Sequence, residues 1–216
     1  MGNLFSFDNG FFTLLGKLWD VLILGILYII LCIPIITIGP ATTALYYATV
    51  KVIRRDRGYL IREFFHSFKM NFKNGVIVSI LLLLFYIIMY IDRNYARTLG
   101  GTLGYLFFAF LNTIIFLLIG MTIYIFPVLS RFQISRKELF KTSFFMAIKH
   151  LPTTLLLIII IGVFAFFCYI FNPFILVTPG AVILLCSFPL ERIFKKYIPQ
   201  PSLEADGNSL DKWYLE

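Results

Sequence analysis

One block of sequence occurs twice, and its order leaves few folds open to the chain. An apolar run ends in a cluster of Arg and Lys, an amphipathic Phe-rich stretch follows, and a second long apolar run comes after it. In the first copy, residues 41–53 lead into Arg54, Arg55 and Arg57, then into 59–73 and 76–91. In the second, 104–130 lead through Arg131 to Lys137, then into 138–149 and 151–171. That order traces a path through a bilayer, along its charged face and back. A soluble fold would need polar surface to hide such runs, and the chain lacks it. Of its 216 residues, 60% are hydrophobic and 14% charged, against roughly 25% charged in an ordinary soluble domain. Lipid must cover part of this protein.

The runs define an all-α polytopic membrane bundle: five or six transmembrane helices plus two interfacial amphipathic helices, with an approximate internal repeat. The expected spans are residues 18–36, 41–53, 76–91, 104–130, 151–171 and 174–190. Because a crossing needs about 20 residues, 41–53 is either a thin span or a re-entrant segment. Gly39 and Pro40 are expected to form a structural hinge at a helical hairpin tip. Glycine turns freely there, and proline at a first helical position gives up a donor that would be unused. Residues 1–200 read as a single membrane domain, and the polar tail 201–216 is set aside as an expression remnant. The N-terminus lacks the positively charged start of a secretory signal, so its first apolar helix is expected to stay in the mature protein.

Charge sets the expected orientation. Of 19 Lys and Arg, two (Arg93 and Arg97) lie between the third and fourth spans, and 17 fall on the other face. Positive charge concentrates inside, which makes both basic clusters and the C-terminus cytoplasmic. The N-terminus is inside if 41–53 crosses fully, and outside if it does not.

In residues 59–73, Ile61, Phe64, Phe65, Phe68 and Phe72 recur at helical spacing opposite Arg62, Glu63, His66, Lys69 and Lys73. In 138–149 the stripe is Phe140, Phe144 and Ile148, with Lys137, Glu138, Lys141 and Lys149 opposite. Two readings stay open. Arg54, Arg55, Arg57, Lys69, Lys73, Lys137, Lys141 and Lys149 could meet anionic headgroups and anchor the helices at the interface. Alternatively, Phe64, Phe65, Phe68, Phe140 and Phe144 could dock a partner.

Catalytic signals are missing. His66 and His150 sit among Lys and Arg in the amphipathic stretches, and Cys32, Cys168 and Cys186 fall inside apolar runs at no metal-binding spacing. No Ser-His-Asp, zinc-ligand or phosphate-loop pattern occurs. The expectation is therefore a non-enzyme with no cofactor, no metal and no nucleic-acid partner. Ionisable residues deep in a membrane mark ion pathways. Asp20, Asp92 and Glu191 lie near span ends, which argues against a proton-coupled pump.

The run Thr37-Ile38-Gly39-Pro40-Ala41-Thr42-Thr43-Ala44-Leu45-Tyr46-Tyr47 carries a specific resemblance. Followed by Lys51, Arg54, Gly58-Tyr59, Phe64-Phe65, Phe68-Lys69 and Asn71-Phe72-Lys73, it resembles the YesL-like family of small bacterial membrane proteins. Phe11-Phe12 and Leu18-Trp19-Asp20 also fit, so the resemblance covers about residues 5 to 200. It implies a multi-pass protein of the bacterial cytoplasmic membrane, associated with carbohydrate uptake beside ATP-binding-cassette sugar importers. The expected function is a non-catalytic accessory subunit that binds the lipid bilayer and the permease subunits of such an importer. Its helix contacts would come from Thr42, Thr43, Tyr46 and Tyr47, since hydroxylated and small residues let helices approach and hydrogen-bond in lipid. Two alternatives stay open: a facilitator of a neutral solute lined by Tyr46, Tyr47, Asn112 and Tyr124, and a membrane scaffold or sensor.

Overall fold

The computed structural model describes residues 10–132 and 134–197, and among these every regular element is helical. The order is α1 (Gly10–Cys32), α2 (Ile38–Ala48), α3 (Leu60–Thr98), α4 (Gly101–Arg131), α5 (Arg136–Lys149), α6 (Leu151–Ile170) and α7 (Thr178–Phe194). Short 3-10 turns occupy Ile35–Thr37 and Asn172–Leu176, and a π-helical segment, Thr49–Arg54, prolongs α2. Among the described residues four helices are long and apolar enough to cross a membrane: α1, α3, α4 and α6. The protein is thus a multi-pass membrane helix bundle. Two expected crossings form shorter helices: 41–53 becomes part of α2 with its π extension, and 174–190 becomes the 17-residue α7.

The first chain reversal differs from its expected place. It falls over residues 33–37, where Pro34 cannot donate to the α1 ladder. Gly39 and Pro40 instead lie in the first turn of α2, where a missing N–H leaves no intrahelical bond unmade. Both residues are buried against α3. A Cβ on Gly39 would come within 2.6 Å of the Gly75 carbonyl oxygen, and one on Gly75 within 2.8 Å of the Pro40 nitrogen. The pair is a close helix–helix contact, not a hinge. Where lipid surrounds helices, such backbone approach contributes more to association than apolar burial does.

The amphipathic stretches also depart from two separate interfacial helices. The first is continuous with the following span, because nothing between Lys73 and Val76 breaks the ladder; α3 runs 39 residues without interruption. At 1.5 Å per residue it is about 58 Å long, far beyond the ~30 Å hydrocarbon thickness. Its charged first half, with Arg62, Glu63, Lys69 and Lys73, marks the end that extends past the lipid core. The second stretch is a separate helix, α5, which folds back on the end of α4. Its buried face is Leu139, Ser143, Met146 and Ala147, while Phe144, Phe145 and Ile148 point outward. Small residues decide which face turns in: Ala147 lies over Gly120, where an added Cβ would find the Ala147 Cβ at 3.6 Å.

Two clusters make up the interior. One gathers Tyr46, Val78, Tyr124, Ile125, Val128, Leu157, Leu190 and Phe194; the other gathers Val21, Leu24, Ala44, Leu45, Ala48, Ile53 and Phe64. Past Ser79 and Phe126, α3 and α4 continue as a two-helix arm that turns at Gly100 and Gly101, both at positive φ (59° and 65°). Most of this arm is apolar and uncovered, with Leu103 81% and Tyr105 77% exposed.

Candidate functional site

The most highly charged part of the structure lies where α2, α4 and α7 end together. Glu191, on α7, is 4% exposed, yet it is held in a full set of partners. Tyr46 donates its hydroxyl to Glu191 Oε1 at 2.9 Å, and Arg131 Nη2 donates to Oε2 at 2.5 Å. Arg55 Nη2 lies 3.8 Å from the same Oε2. A buried carboxylate costs several kcal/mol in desolvation unless paired and hydrogen-bonded, and this one has both an ion pair and a neutral donor. Glu191 therefore ties together three segments distant in sequence.

The π segment sets the basic residues beside it. Its wider turn ends at Asp56, which adopts a left-handed conformation (φ 52°) with its N–H on the Val52 carbonyl at 2.9 Å. Arg57 N–H bonds the Lys51 carbonyl at 3.1 Å, satisfying a second end carbonyl. Gly58 follows at φ 84°, a conformation that a side chain would strain. Inside this turn Lys51 Nζ meets Glu63 Oε2 at 2.9 Å, with both side chains largely buried, and joins the π segment to α3. Arg54 donates to the Ser187 carbonyl at 2.8 Å, and its guanidinium stacks over Phe188 at 4.3 Å.

Arg54, Arg55, Arg57, Glu191 and Lys195 line an open cavity of about 370 Å³. Four of the five are cations, and the one carboxylate is already engaged by Arg131 and Tyr46. The cavity is electropositive and its arginine forks suit an oxygen-rich anion. Among the described residues no group of three or more His, Cys, Asp and Glu is placed to hold a metal ion.

The residues expected to touch a partner through α2 are distributed otherwise. Thr43 and Tyr46 are fully buried, as is Phe64, so they pack within the chain. Thr43 bonds the Gly39 carbonyl; Thr42 bonds the Ile38 carbonyl and lies 3.3 Å from the Tyr28 hydroxyl. Tyr47 accepts from Lys51. Phe68 and Phe140 are half-buried, and Phe65 and Phe144 are exposed. Nor do Tyr46, Tyr47, Asn112 and Tyr124 share a path: Asn112 bonds the Phe108 carbonyl within the arm, and Tyr124 pairs with Thr154 in the interior. Of the residues expected at headgroups, Arg54, Arg55 and Arg57 come together at the cavity, whereas Lys69, Lys73, Lys137, Lys141 and Lys149 are dispersed over exposed helix faces. Sequence reasoning set Glu191 at a span end and Arg131 in a basic cluster but did not pair them. The signal was present: a lone acid two residues past Pro189 at the end of an apolar run needs a cationic partner.

The fold and this charged junction define a class, a multi-pass membrane protein built around a repeated helical hairpin. Residues 21–93, from within α1 to near the end of α3, match the model of a family described as a protein of unknown function, DUF624. That segment holds the α2–α3 hairpin and three of the cavity arginines, and the match is consistent with the YesL-like resemblance. No curated protein and no solved structure matches the chain.

Proposed function

We propose that the protein is a non-catalytic accessory subunit in the bacterial cytoplasmic membrane, with its basic clusters and C-terminus on the cytoplasmic side, and that it binds the permease of a carbohydrate ATP-binding-cassette importer. The observation that carries this reading is the arm of residues 80–118. Its base, at Leu82 and Leu118, packs into the core, but most of its length is apolar and exposed, with Tyr90, Leu103, Tyr105, Leu106 and Phe110 all more than half exposed. Of two candidates for the permease contact, residues 41–53 and the fourth span, this exposure favours the fourth span on α4. The YesL-like resemblance supplies the importer, and the excess of basic residues at one end supplies the orientation.

A stable contact of this kind buries at least about 1,000 Å² in total. Affinity purification from native membranes in mild detergent is expected to bring down permease subunits. Tyr105→Ala with Phe110→Ala should reduce their recovery while the thermal unfolding midpoint stays in place. Absence of permease from the purified wild-type protein, together with normal importer assembly after deletion of the gene, would overturn the proposal.

A further inference from the structure

We infer that the cavity lined by Arg54, Arg55, Arg57 and Lys195 is a binding site for a phosphate group, carried either by a lipid headgroup or by a small soluble phosphoester. The inference is independent of the importer partnership.

Three features separate this cavity from an ordinary basic surface. Arg54 is fixed before any ligand arrives, held by the Ser187 carbonyl and by the face of Phe188. Preorganisation of this kind lowers the entropy lost on binding. Among the described residues Glu191 is the one acid of the lining, and its carboxylate is engaged by Tyr46 and Arg131, with Arg55 3.8 Å away. Its charge is balanced chiefly from behind by Arg131, so the opening carries a net positive charge. Finally, the cations come from two segments, the π-helical turn with its loop and the end of α7, so they converge on one space from different directions.

The chemistry selects phosphate among anions. Guanidinium forks donate two parallel hydrogen bonds to tetrahedral phosphate oxygens, and an ammonium group adds a point charge. The cavity, at about 370 Å³, lies within the size range of small-molecule sites and leaves space beside the phosphate for a glycerol or sugar substituent. The Lys69 and Lys73 pair offers the contrast: both are exposed on α3 and neither lines the cavity.

The test uses the full chain in neutral maltoside micelles, which hold no phosphate. One arm titrates inorganic phosphate and glycerol 3-phosphate by calorimetry. The other measures retention of added phosphatidylglycerol by native mass spectrometry. Lys195→Gln and Arg57→Gln, at the cavity rim, should each weaken binding about tenfold or more. Lys69→Gln with Lys73→Gln should leave it within about twofold of wild type. A response in the first arm assigns a soluble phosphoester, and a response confined to the second assigns a lipid headgroup. Silence in both arms overturns the inference, and so does an equal loss in the Lys69/Lys73 variant, which would show diffuse attraction. Arg54→Gln is a less secure variant because it also removes the Ser187 contact, so the rim variants carry the decision.

Discussion

The two helical hairpins arise from the same block of sequence and are closed by different physics. In the first, α3 is joined to the π segment by the buried Lys51–Glu63 ion pair and to α2 by glycine contact at Gly39 and Gly75. In the second, α4 and α5 meet through Gly120 and Ala147, and the acid of the block stays at the surface. Glu138 sits at the third position of α5 and forms a capping box with Ser135, accepting its N–H at 3.1 Å. Glu63 cannot do this. It stands one position further into its helix, and the N-cap residue is Tyr59, which makes no side-chain cap bond. One residue of register thus decides whether the same acid caps its own helix or crosses to its neighbour. The hairpins also end differently. Pro152 cannot donate to the Ile148 carbonyl, so α5 stops and His150 (φ −113°, ψ 43°) joins it to α6, whereas α3 continues.

The largest expected effects lie in the buried charges. Glu191 joins Tyr46 of the first hairpin to Arg131 of the second, so Glu191→Gln should loosen both at once. It leaves Arg131 facing a neutral amide and should cost about 4 kcal/mol. Glu63→Gln should cost about 3 kcal/mol by the same argument for Lys51. The matching substitution in the other hairpin, Glu138→Gln, should fall well below both. Chemical unfolding in a fixed detergent, with circular dichroism as the readout, checks the order. Equal losses for Glu63→Gln and Glu138→Gln would show that the hairpins are closed alike.

Next come the glycines at the helix crossings. A Cβ at Gly75 meets backbone, the Pro40 nitrogen at 2.8 Å and Cα at 2.9 Å, and neither can move without shifting α2. At Gly120 the nearest atom is the Thr154 methyl at 3.1 Å, the end of a side chain. Overpacking costs about 1–3 kcal/mol, and Gly75→Ala should lie at the top of that range with Gly120→Ala at the bottom. Gly16→Ala, with nothing within 4 Å of its added Cβ, is the control. If Gly120→Ala proved as harmful as Gly75→Ala, the closer approach assigned to the first hairpin would be refuted.

Much of this was legible in the sequence because helix-length apolar runs and basic clusters are one-dimensional signals. Residues 76–91 fall inside α3, and the expected span 151–171 matches α6 (Leu151–Ile170) to within one residue, for that reason. What escaped depends on contacts between distant segments. Gly39 read as a turn residue because glycine at a turn and glycine at a helix crossing look alike until Gly75 is beside it. The continuity of α3 was hidden by the polar 59–73 stretch, since a change from amphipathic to apolar pattern resembles a boundary even where no proline or cap breaks the ladder. At the site, Arg54, Arg55 and Arg57 were visible as a cluster. Lys195 and Glu191, more than 130 residues later, join them only through the packing of α7.

The smallest expected effect is a pH response confined to the second hairpin's surface. The cap bonds from the Ser135 hydroxyl and N–H hold the Glu138 carboxyl below its ordinary 4.5. Its contribution is therefore present above pH 4.5 and is lost as pH falls through the lowered folded value. His150 is also held down from its ordinary 6.5, first by partial burial and then by Lys196 and Lys149. A depressed histidine favours the neutral ring in the fold, so full stability holds above pH 6.5 and declines on acidification through that value. The two groups should act in sequence, His150 first and Glu138 later. A thermal midpoint followed from neutral pH down to about pH 3 should fall in two stages. His150→Gln should remove the first stage and Glu138→Gln the second, with Glu63→Gln lowering the whole curve. A first stage that persists in His150→Gln would place the acid sensitivity outside the α5–α6 junction, and with it the difference drawn between the two hairpin ends.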